Sequence, residues 1–283
     1  MGRYKKILVA VDGSVSSRNA FRQACRIARE DVSWVTALMT VPILQDQYEV
    51  LSIEKAARGL RSEAEKVLSE MKNIGAEEGV NMRTLLEEGN PLDVIRDVAE
   101  EGGYDLIVMG RRGMTHLERA YMGSVTARVI GHTATDVLVI QRDTPVGWKK
   151  ILFATDGSLN SSHAEERVLD MAAMHGSEIT VLSVADVNEE FYAQAPDEAA
   201  KSVQKAKAAA EEVKRKAEAK GLKATAAVKE GEPFDAITSL AKSLGTEIIV
   251  MGSHGRTGLK RLLMGSVTEK VIGHTPCPVY VVK

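Results

Sequence analysis

A short segment near the middle of the chain returns almost unchanged close to its end. The segment MGSVTARVIGHT at 122–133 is repeated as MGSVTEKVIGHT at 264–275. The start of the chain is repeated too, since KKILVAVDGS at 5–14 matches KKILFATDGS at 149–158. An internal period of this length means that one folding unit occurs twice. We therefore predict two tandem domains, residues 1–143 and 144–283.

The composition excludes several classes of protein and of site. A chain of 283 residues accommodates two domains of ordinary size. Its net charge of −2 gives no electrostatic reason to expect nucleic acid or an anionic membrane as a partner. No apolar run reaches the ~18 residues of a membrane span, and the first residues lead directly into a strand pattern, so we expect a cytoplasmic protein without a signal peptide. The two cysteines form no CxxC or Cys/His cluster, so we expect neither a zinc site nor a redox dithiol.

Short apolar runs alternate with helical patterns in both halves of the chain. Runs such as ILVAV at 7–11 and LIVMG at 106–110 are typical of strands that are buried on both faces. The more polar MRTLLEE at 82–88 predicts an edge strand. Helical spacing over 51–78 predicts one buried helix face, made of Leu60, Ala64, Val67, Met71 and Ile74.

This alternation predicts the α/β class, with strands and helices in the order β-α-β-α-β-α-β-α-β in each domain. Such an order forms a parallel sheet with right-handed crossovers. We predict two tandem doubly wound, Rossmann-like domains, each with a five-stranded parallel sheet of strand order 3-2-1-4-5. In that order strands one and four are neighbours where the winding reverses, and ligands bind there, outside the carboxyl ends of the strands.

A glycine-rich motif follows strand four in each domain. Its pattern is G-x2-G-x9-G-S, at 110–124 and at 252–266. Glycines let backbone N–H groups approach an anion, and the following helix adds partial positive charge. Hydroxyl donors are predicted at Ser124, Thr126, Ser266 and Thr268. The alternative is a tight turn in which the serine caps the helix, but the repetition of both spacings favours a phosphate site. The motif is neither a Walker A loop nor a dinucleotide fingerprint.

The first strand of each domain ends in Asp-Gly-Ser, at Asp12 and at Asp156. Because strands one and four are neighbours, we expect Asp12 and the loop after Gly110 to face one crevice. A carboxylate there could hold a nucleoside amine, a ribose hydroxyl or a magnesium ion. The alternative is an Asx turn that caps the first helix. His132 and His274 each end a helix, where we expect a structural bond to a free carbonyl.

These residues carry a resemblance that covers essentially the whole chain. Both halves resemble the universal stress protein (UspA) family, specifically its ATP-binding branch, which is marked by G-x2-G-x9-G-[ST]. The resemblance implies a fold similar to adenine-nucleotide α-hydrolase-like domains, with adenosine near the strand-one Asp and the end of strand two. The phosphates would lie on the glycine loop. At matching positions it implies sites made of Asp12, Thr40, Gly110, Gly113, Gly123, Ser124 and Thr126, and of Asp156, Val184, Gly252, Gly255, Gly265, Ser266 and Thr268.

The two copies differ within the glycine loop. Domain one has Arg111 and Arg112 where domain two has Ser253 and His254. We include Arg112 as an added phosphate ligand, the alternative being an exposed loop charge. We also include His254, either in direct contact with phosphate or facing solvent. Thr40 stands beside the expected base where domain two has the apolar Val184, so we expect site two to bind more tightly.

The leading functional interpretation is a regulatory or stress-response protein that binds ATP, with or without Mg²⁺, and signals through conformation or association. The first alternative is a slow ATP hydrolase or nucleotidyl-transfer enzyme of the same superfold. The second is an interaction scaffold that binds no nucleotide. Fold alone does not separate the three. No repeated lysine, arginine finger or general base accompanies the loop, which disfavours the enzyme.

Partner expectations follow from the last strand of each domain. An exposed apolar edge invites strand pairing, and members of the resembled family are similar in pairing this way. We therefore expect an intrachain pseudo-dimer through 136–141 and 277–282, with a homodimer and an unknown protein partner as further expectations. We expect neither a nucleic acid nor a membrane as a partner.

Overall fold

A computed structural model describes residues 4–43, 50–113, 122–141, 143–254 and 264–283 of the chain. The protein forms two compact units, Met1–Asp143 and Thr144–Lys283. Both units are α/β, and we call them domain one and domain two. Among the described residues no helix is both long enough and apolar enough to cross a membrane.

Domain one alternates strands and helices along its whole length. Its strands are β1 (Lys6–Ala10), β2 (Trp34–Val41), β3 (Asn81–Glu88), β4 (Leu106–Gly110) and β5 (Val137–Ile140). Its helices are α1 (Val15–Asp31), α2 (Val50–Glu77), α3 (Pro91–Glu101) and α4 (Ser124–His132). The strands lie in the order β3-β2-β1-β4-β5, and every neighbouring pair is parallel. The predicted doubly wound sheet is confirmed.

Burial explains why these apolar runs are strands. Consecutive residues of β1 such as Ile7, Leu8 and Val9 are fully buried, although they point to opposite faces of the sheet. Both faces of the central strands are therefore covered, which is the usual environment of a parallel sheet. By contrast, no residue of β3 is fully buried, and β3 lies at the end of the strand order, as its polar sequence predicts.

Domain two repeats this architecture, and its described residues include a further short helix between the second strand and the long helix. Its strands are β6 (Lys150–Ala154), β7 (Glu178–Ala185), β8 (Lys223–Glu230), β9 (Ile248–Gly252) and β10 (Val279–Val282). Its helices are α5 (Leu159–His175), α6 (Glu189–Gln194), α7 (Pro196–Ala219), α8 (Pro233–Leu244) and α9 (Ser266–His274). The strand order is β8-β7-β6-β9-β10, again with parallel neighbours. The sequence pattern did not predict α6, which Asn188 caps at its start.

The predicted buried face of α2 is right in part. Ala64, Met71 and Ile74 are buried, but Leu60 is 42% exposed and Leu68 takes a place in the core instead. The core-facing stripe thus begins at Ala64, about one turn after Leu60, because the first part of α2 extends past the strands that the helix covers. A 28-residue helix is longer than an eight-residue strand, whose length limits the surface available for packing.

Candidate functional site

The Asp-Gly-Ser sequence forms the same turn after the first strand of each domain. An oxygen of Asp12 accepts a hydrogen bond from the N–H of Ser14 at 3.0 Å, and Asp156 accepts one from Ser158 at 3.0 Å. The glycine between them has a positive φ, 80° at Gly13 and 70° in domain two, which side-chain-bearing residues rarely adopt. The Asx turn considered as an alternative is therefore present, and it uses one carboxylate oxygen, Oδ1.

The second carboxylate oxygen of Asp12 lies against the glycine loop. Strands β1 and β4 pair with Ala10 opposite Met109, so both loops leave the sheet side by side. A Cβ atom added to Gly113 would overlap Oδ2 of Asp12. Only glycine lets the loop pass so close to the carboxylate. The expectation that the strand-one aspartate and the glycine loop share a crevice is met in domain one.

Two hydrogen bonds tie the start of α4 to the end of β4. The N–H of Gly123 donates to the carbonyl oxygen of Arg111 at 2.8 Å, and the hydroxyl of Thr126 donates to that of Gly110 at 3.0 Å. A hydroxyl has one proton, so Thr126 does not aim it at the crevice. In the structure Thr126 holds the loop ends together, which differs from its predicted role as a phosphate donor.

Domain two has the same pair of bonds. The N–H of Gly265 donates to the carbonyl oxygen of Ser253 at 3.0 Å, and the hydroxyl of Thr268 donates to that of Gly252 at 3.1 Å. The role of Thr268 therefore changes in the same way as that of Thr126. Both threonines are almost fully buried, which fits a structural role in the loop.

The helices that follow the glycine loops begin without a side-chain cap. Gly123 and Gly265 are the N-cap residues, and neither helix has a side-chain cap hydrogen bond among the described residues. Ser124 and Ser266 are instead the first helical residues, so the alternative of a serine cap is wrong. The first N–H groups of a helix have no partner within it and carry partial positive charge. Such a helix start binds anions.

A cleft of about 270 Å³ opens at this end of the domain-one sheet, near the lower limit of about 300 Å³ for small-molecule sites. It gathers the carboxyl ends of β1 and β4, the glycine loop and the starts of α3 and α4. All eight predicted domain-one residues line it: Asp12, Thr40, Gly110, Arg112, Gly113, Gly123, Ser124 and Thr126.

The cleft also has an apolar part that the motifs did not reveal. Side chains from β2, β4, α3 and the residue that follows β1 form it, namely Val11, Leu38, Pro91, Ile95 and Met109. The repeated segments EEGNP at 87–91 and KEGEP at 229–233 were a signal for Pro91. Val11, Leu38 and Met109 lie in apolar strand patterns and Ile95 lies in a helical one. Sequence alone therefore predicts them as core residues. The cleft thus combines an apolar wall with a polar rim, which is the usual make-up of a ligand site.

Two arginines give the domain-one rim a positive charge. Arg112 lines the cleft, and its backbone carbonyl accepts a long hydrogen bond of 3.4 Å from the hydroxyl of Ser14. Arg111 is half-buried, and burial together with the neighbouring Arg112 charge lowers the pKa of its guanidinium. An arginine stays protonated at neutral pH even so. The charge of Arg112 therefore stands at the cleft, and the guanidinium of Arg111 is close enough for the two like charges to repel each other.

In domain two the predicted residues lie at equivalent places. Asp156 follows β6, which pairs with β9 so that Ala154 is opposite Met251. The carboxyl ends next to Asp156 and Gly252 are therefore neighbours, and Val184 lies near the end of β7. The Nδ1 atom of His254 is 3.0 Å from the hydroxyl oxygen of Ser253. Gly255 lies outside the described residues.

Metal-binding groups do not cluster in the described part of the chain. No three His, Cys, Asp or Glu side chains there are arranged to hold a metal ion. Among the described residues that line the domain-one cleft, Asp12 is the one carboxylate. A Mg²⁺ ion needs several oxygen ligands, and phosphates commonly supply them. The residues present fit a cation that arrives with a polyphosphate rather than one held by the protein alone.

Comparison with known proteins agrees with the two-domain organisation. A family model described as the universal stress protein family matches residues 3–141 and again 147–283. A universal stress protein from Methanocaldococcus jannaschii is 36% identical over 146 residues, which cover 49% of this chain and 83% of that protein. A Staphylococcus haemolyticus protein of the same family name is 34% identical over 143 residues, covering 50% and 86% respectively.

A solved structure shares the fold over almost the full length. The crystal structure of a universal stress protein from Archaeoglobus fulgidus superposes with a TM-score of 0.78 at 21% identity, covering 98% of this chain and 96% of that one. At that identity the match supports the fold alone. The family itself follows from the family model, which matches both halves of the chain. This chain belongs to the universal stress protein family and carries two of its domains in tandem.

Proposed function

We propose that each domain binds one adenine nucleotide, in the first place ATP, at the carboxyl ends of its first and fourth strands. The observation that carries this proposal is the domain-one cleft. There a carboxylate (Asp12), a cation (Arg112) and the uncapped start of α4 meet beside an apolar wall. A nucleotide has the complementary parts, since its base is flat and largely apolar and its phosphates are anionic.

The orientation of the nucleotide follows from where these groups lie. The apolar side chains Leu38 and Ile95 and the hydroxyl of Thr40 favour the base at the β2 side of the cleft. Asp12 is placed to accept a hydrogen bond from a ribose hydroxyl or a base amine. The phosphates would approach Gly113 and the first N–H groups of α4, where backbone donors and helix charge favour an anion. A Mg²⁺ ion would then be held mainly by the phosphates.

We propose that occupancy, rather than turnover, is the output of these sites, and that the protein acts in regulation or stress response. Backbone N–H groups hold a ground state and a transition state with similar strength, and uniform binding of this kind does not accelerate a reaction. Fast phosphoryl transfer would need charges aimed at the transition state and a group that positions water. Asp12 lies beside the turn after β1 and is assigned to the nucleoside end.

A slow ATP hydrolase is the second candidate, and Arg112 is the observation that favours it. An arginine at the phosphate end of a cleft can stabilise developing charge. The third candidate, a scaffold that binds no nucleotide, is disfavoured by the cleft itself. Gly113 and Gly123 have no side chain, so they leave room for a ligand beside the loop, and a scaffold that binds no nucleotide does not need this room.

Native mass spectrometry of the purified protein tests the proposal. We expect species heavier than the chain by the mass of one or two adenine nucleotides, either as purified or after addition of ATP. Addition of GTP is the control for base preference, and we expect weaker adducts with it. Absence of any adduct after addition of ATP would favour the scaffold.

Association and location belong to the proposal as well. We propose that the domains pair through β5 and β10. We also propose that a second copy of the chain or another protein binds differently to the nucleotide-bound and nucleotide-free protein, and that the protein acts in the cytoplasm. Hydrogen exchange tests the pairing, because N–H groups in a paired edge are protected. Rapid exchange at Val137–Ile140 would contradict it.

A further inference from the structure

The two domains present different charges to the phosphate end of their sites. In domain one Arg112 lines the cleft, within the same loop as Gly113. Among the residues that the structure describes, no carboxylate forms an ion pair with Arg112. The equivalent residue in domain two is His254, whose Nδ1 lies 3.0 Å from the hydroxyl oxygen of Ser253. Histidine, unlike arginine, is not permanently charged near neutral pH.

A second cation reinforces the difference. Arg111 adjoins Arg112 and is half-buried, and the pKa of its guanidinium is lowered by burial and by the charge of Arg112. Domain two has the uncharged Ser253 at this place. An anion that lies close to both guanidinium groups offsets their mutual repulsion. The favourable electrostatic energy grows with the charge of the anion.

We propose that domain one binds the nucleoside triphosphate without a divalent cation, because Arg112, reinforced by Arg111, supplies the positive charge, and that only domain two depends on Mg²⁺. This inference deepens the proposed function and rests on it. It makes Arg112 a specificity-determining residue that favours ATP over AMP. In domain two the Mg²⁺ ion bound to the phosphates would neutralise their negative charge, as the arginines would in domain one.

Calorimetric titration of a variant without the domain-two site measures the binding of ATP to domain one alone. Gly265→Val should block the nucleotide site of domain two, because its Cβ would lie 3.2 Å from the carbonyl oxygen of Ser253. In this background we expect the Kd for ATP to change by less than about threefold between Mg²⁺ and EDTA. Arg112→His, which installs the domain-two residue, is expected to weaken ATP binding in EDTA by about tenfold, the effect of one lost charge-assisted hydrogen bond. AMP should be affected less than about threefold, because it lacks the two outer phosphates that we expect Arg112 to contact.

Two further variants keep the test independent of how the valine variant folds. Arg112→Lys retains a charge and should retain most of the binding in EDTA. In the protein with both sites intact, Arg112→His should weaken by about tenfold the ATP binding that wild type shows in EDTA and leave binding in Mg²⁺ at full stoichiometry.

The inference is overturned if removal of Mg²⁺ weakens ATP binding to domain one tenfold or more with Arg112 present, or if Arg112→His weakens ATP and AMP equally. Failure of the proposed function has a different signature. In that case neither ATP nor AMP binds any of these proteins in either buffer, and both proposals fall.

Discussion

The hydroxyl of Thr126 donates a hydrogen bond of 3.0 Å to the carbonyl oxygen of Gly110. This bond joins the first turn of α4 to the last residue of β4, so the two sides of the glycine loop are held at a fixed separation. With it, the N–H of Gly123 bonds to Arg111 at 2.8 Å. The start of the helix is thereby placed at the carboxyl end of the sheet, where its N–H groups face the cleft.

Removing this hydroxyl should destabilise domain one. Thr126→Val keeps the shape of the side chain but leaves the carbonyl of Gly110 without this donor. Thr126 is buried, so we expect the free energy of unfolding to fall by about 1–2 kcal/mol. Urea unfolding measures it. Thr126→Ser retains the hydroxyl and is the control. A valine variant as stable as wild type would mean that the bond is not needed to close the loop.

Replacing Val32 by glycine should stabilise the protein. Val32 ends α1 in the left-handed conformation, with φ 58°, and is 82% exposed. Its counterpart in domain two is Gly176, with φ 61°. A β-branched residue is strained in this conformation, and an exposed side chain loses little packing, so we expect Val32→Gly to add about 1 kcal/mol.

The reverse change in domain two is the matched control. Gly176→Val should lower the free energy of unfolding by about 1 kcal/mol or more. Thermal or urea unfolding of both variants measures the pair. A loss of stability in Val32→Gly would show that Val32 makes an energetic contribution that its exposure does not reveal.

Both cysteine thiols should be inert in the folded protein at neutral and mildly alkaline pH. Cys25 and Cys277 are buried. Burial raises the pKa of Cys25 from 9.0 to about 12, and burial also raises the pKa of Cys277. The thiolate is the reactive form. At pH 8 we therefore expect a disulfide reagent to label the thiols only after denaturant is added, and equally fast labelling of the native protein would contradict the packing.

The same pKa shift makes stability depend on pH in one direction. The folded state keeps the Cys25 proton to higher pH than the unfolded state does, so the contribution of Cys25 is complete below pH 9. It is lost as the pH rises from there toward 12, because the unfolded state then binds fewer protons. Compared with Cys25→Ala, the wild type should lose free energy of unfolding faster between pH 9 and 10.5. Parallel curves would contradict the shift.

Hydrolysis of ATP should be slow. Purified protein with Mg²⁺ should release phosphate well below about 1 s⁻¹, the lower end of the usual range of enzyme turnover. The described residues place no general base opposite the loop in the domain-one cleft, where Asp12 is the lining carboxylate. Phosphate release at enzymatic rates that is lost in Arg112→Ala would make the hydrolase the better account.

Sequence patterns predicted the sheet because a strand that is buried on both faces has consecutive apolar residues. Residues 106–110 form an uninterrupted apolar run, and such a run is typical of a parallel strand that is covered on both faces. The helix-end histidines were predicted for a similar local reason. Nδ1 of His132 lies 2.7 Å from the carbonyl oxygen of Arg128, and Nδ1 of His274 lies 2.7 Å from that of Lys270, so both have the structural bond expected of them.

Other features depend on tertiary contacts that no local pattern contains. The partner of the Thr126 hydroxyl is a backbone carbonyl on another element, so sequence could not separate a phosphate donor from a structural bond. The sequence predicts Ile95 as a core residue of α3, and only the packing of α3 against β2 and α4 brings it to the cleft. Leu60 has the right spacing for burial but extends beyond the sheet, and helical periodicity does not show where a sheet ends.

The most direct test of the account is the ATP stoichiometry of two glycine variants, measured by isothermal titration in Mg²⁺. A Cβ at Gly265 would lie 3.2 Å from the carbonyl oxygen of Ser253, and one at Gly123 would lie 3.4 Å from that of Arg111. The two methyl groups of a valine leave less room still for phosphate, so each valine variant should bind one ATP per chain, and the double variant none. Gly59→Val is the control, because a Cβ there meets no atom within 4 Å, and it should bind two, as we expect of wild type. Full stoichiometry in the double variant would contradict the account.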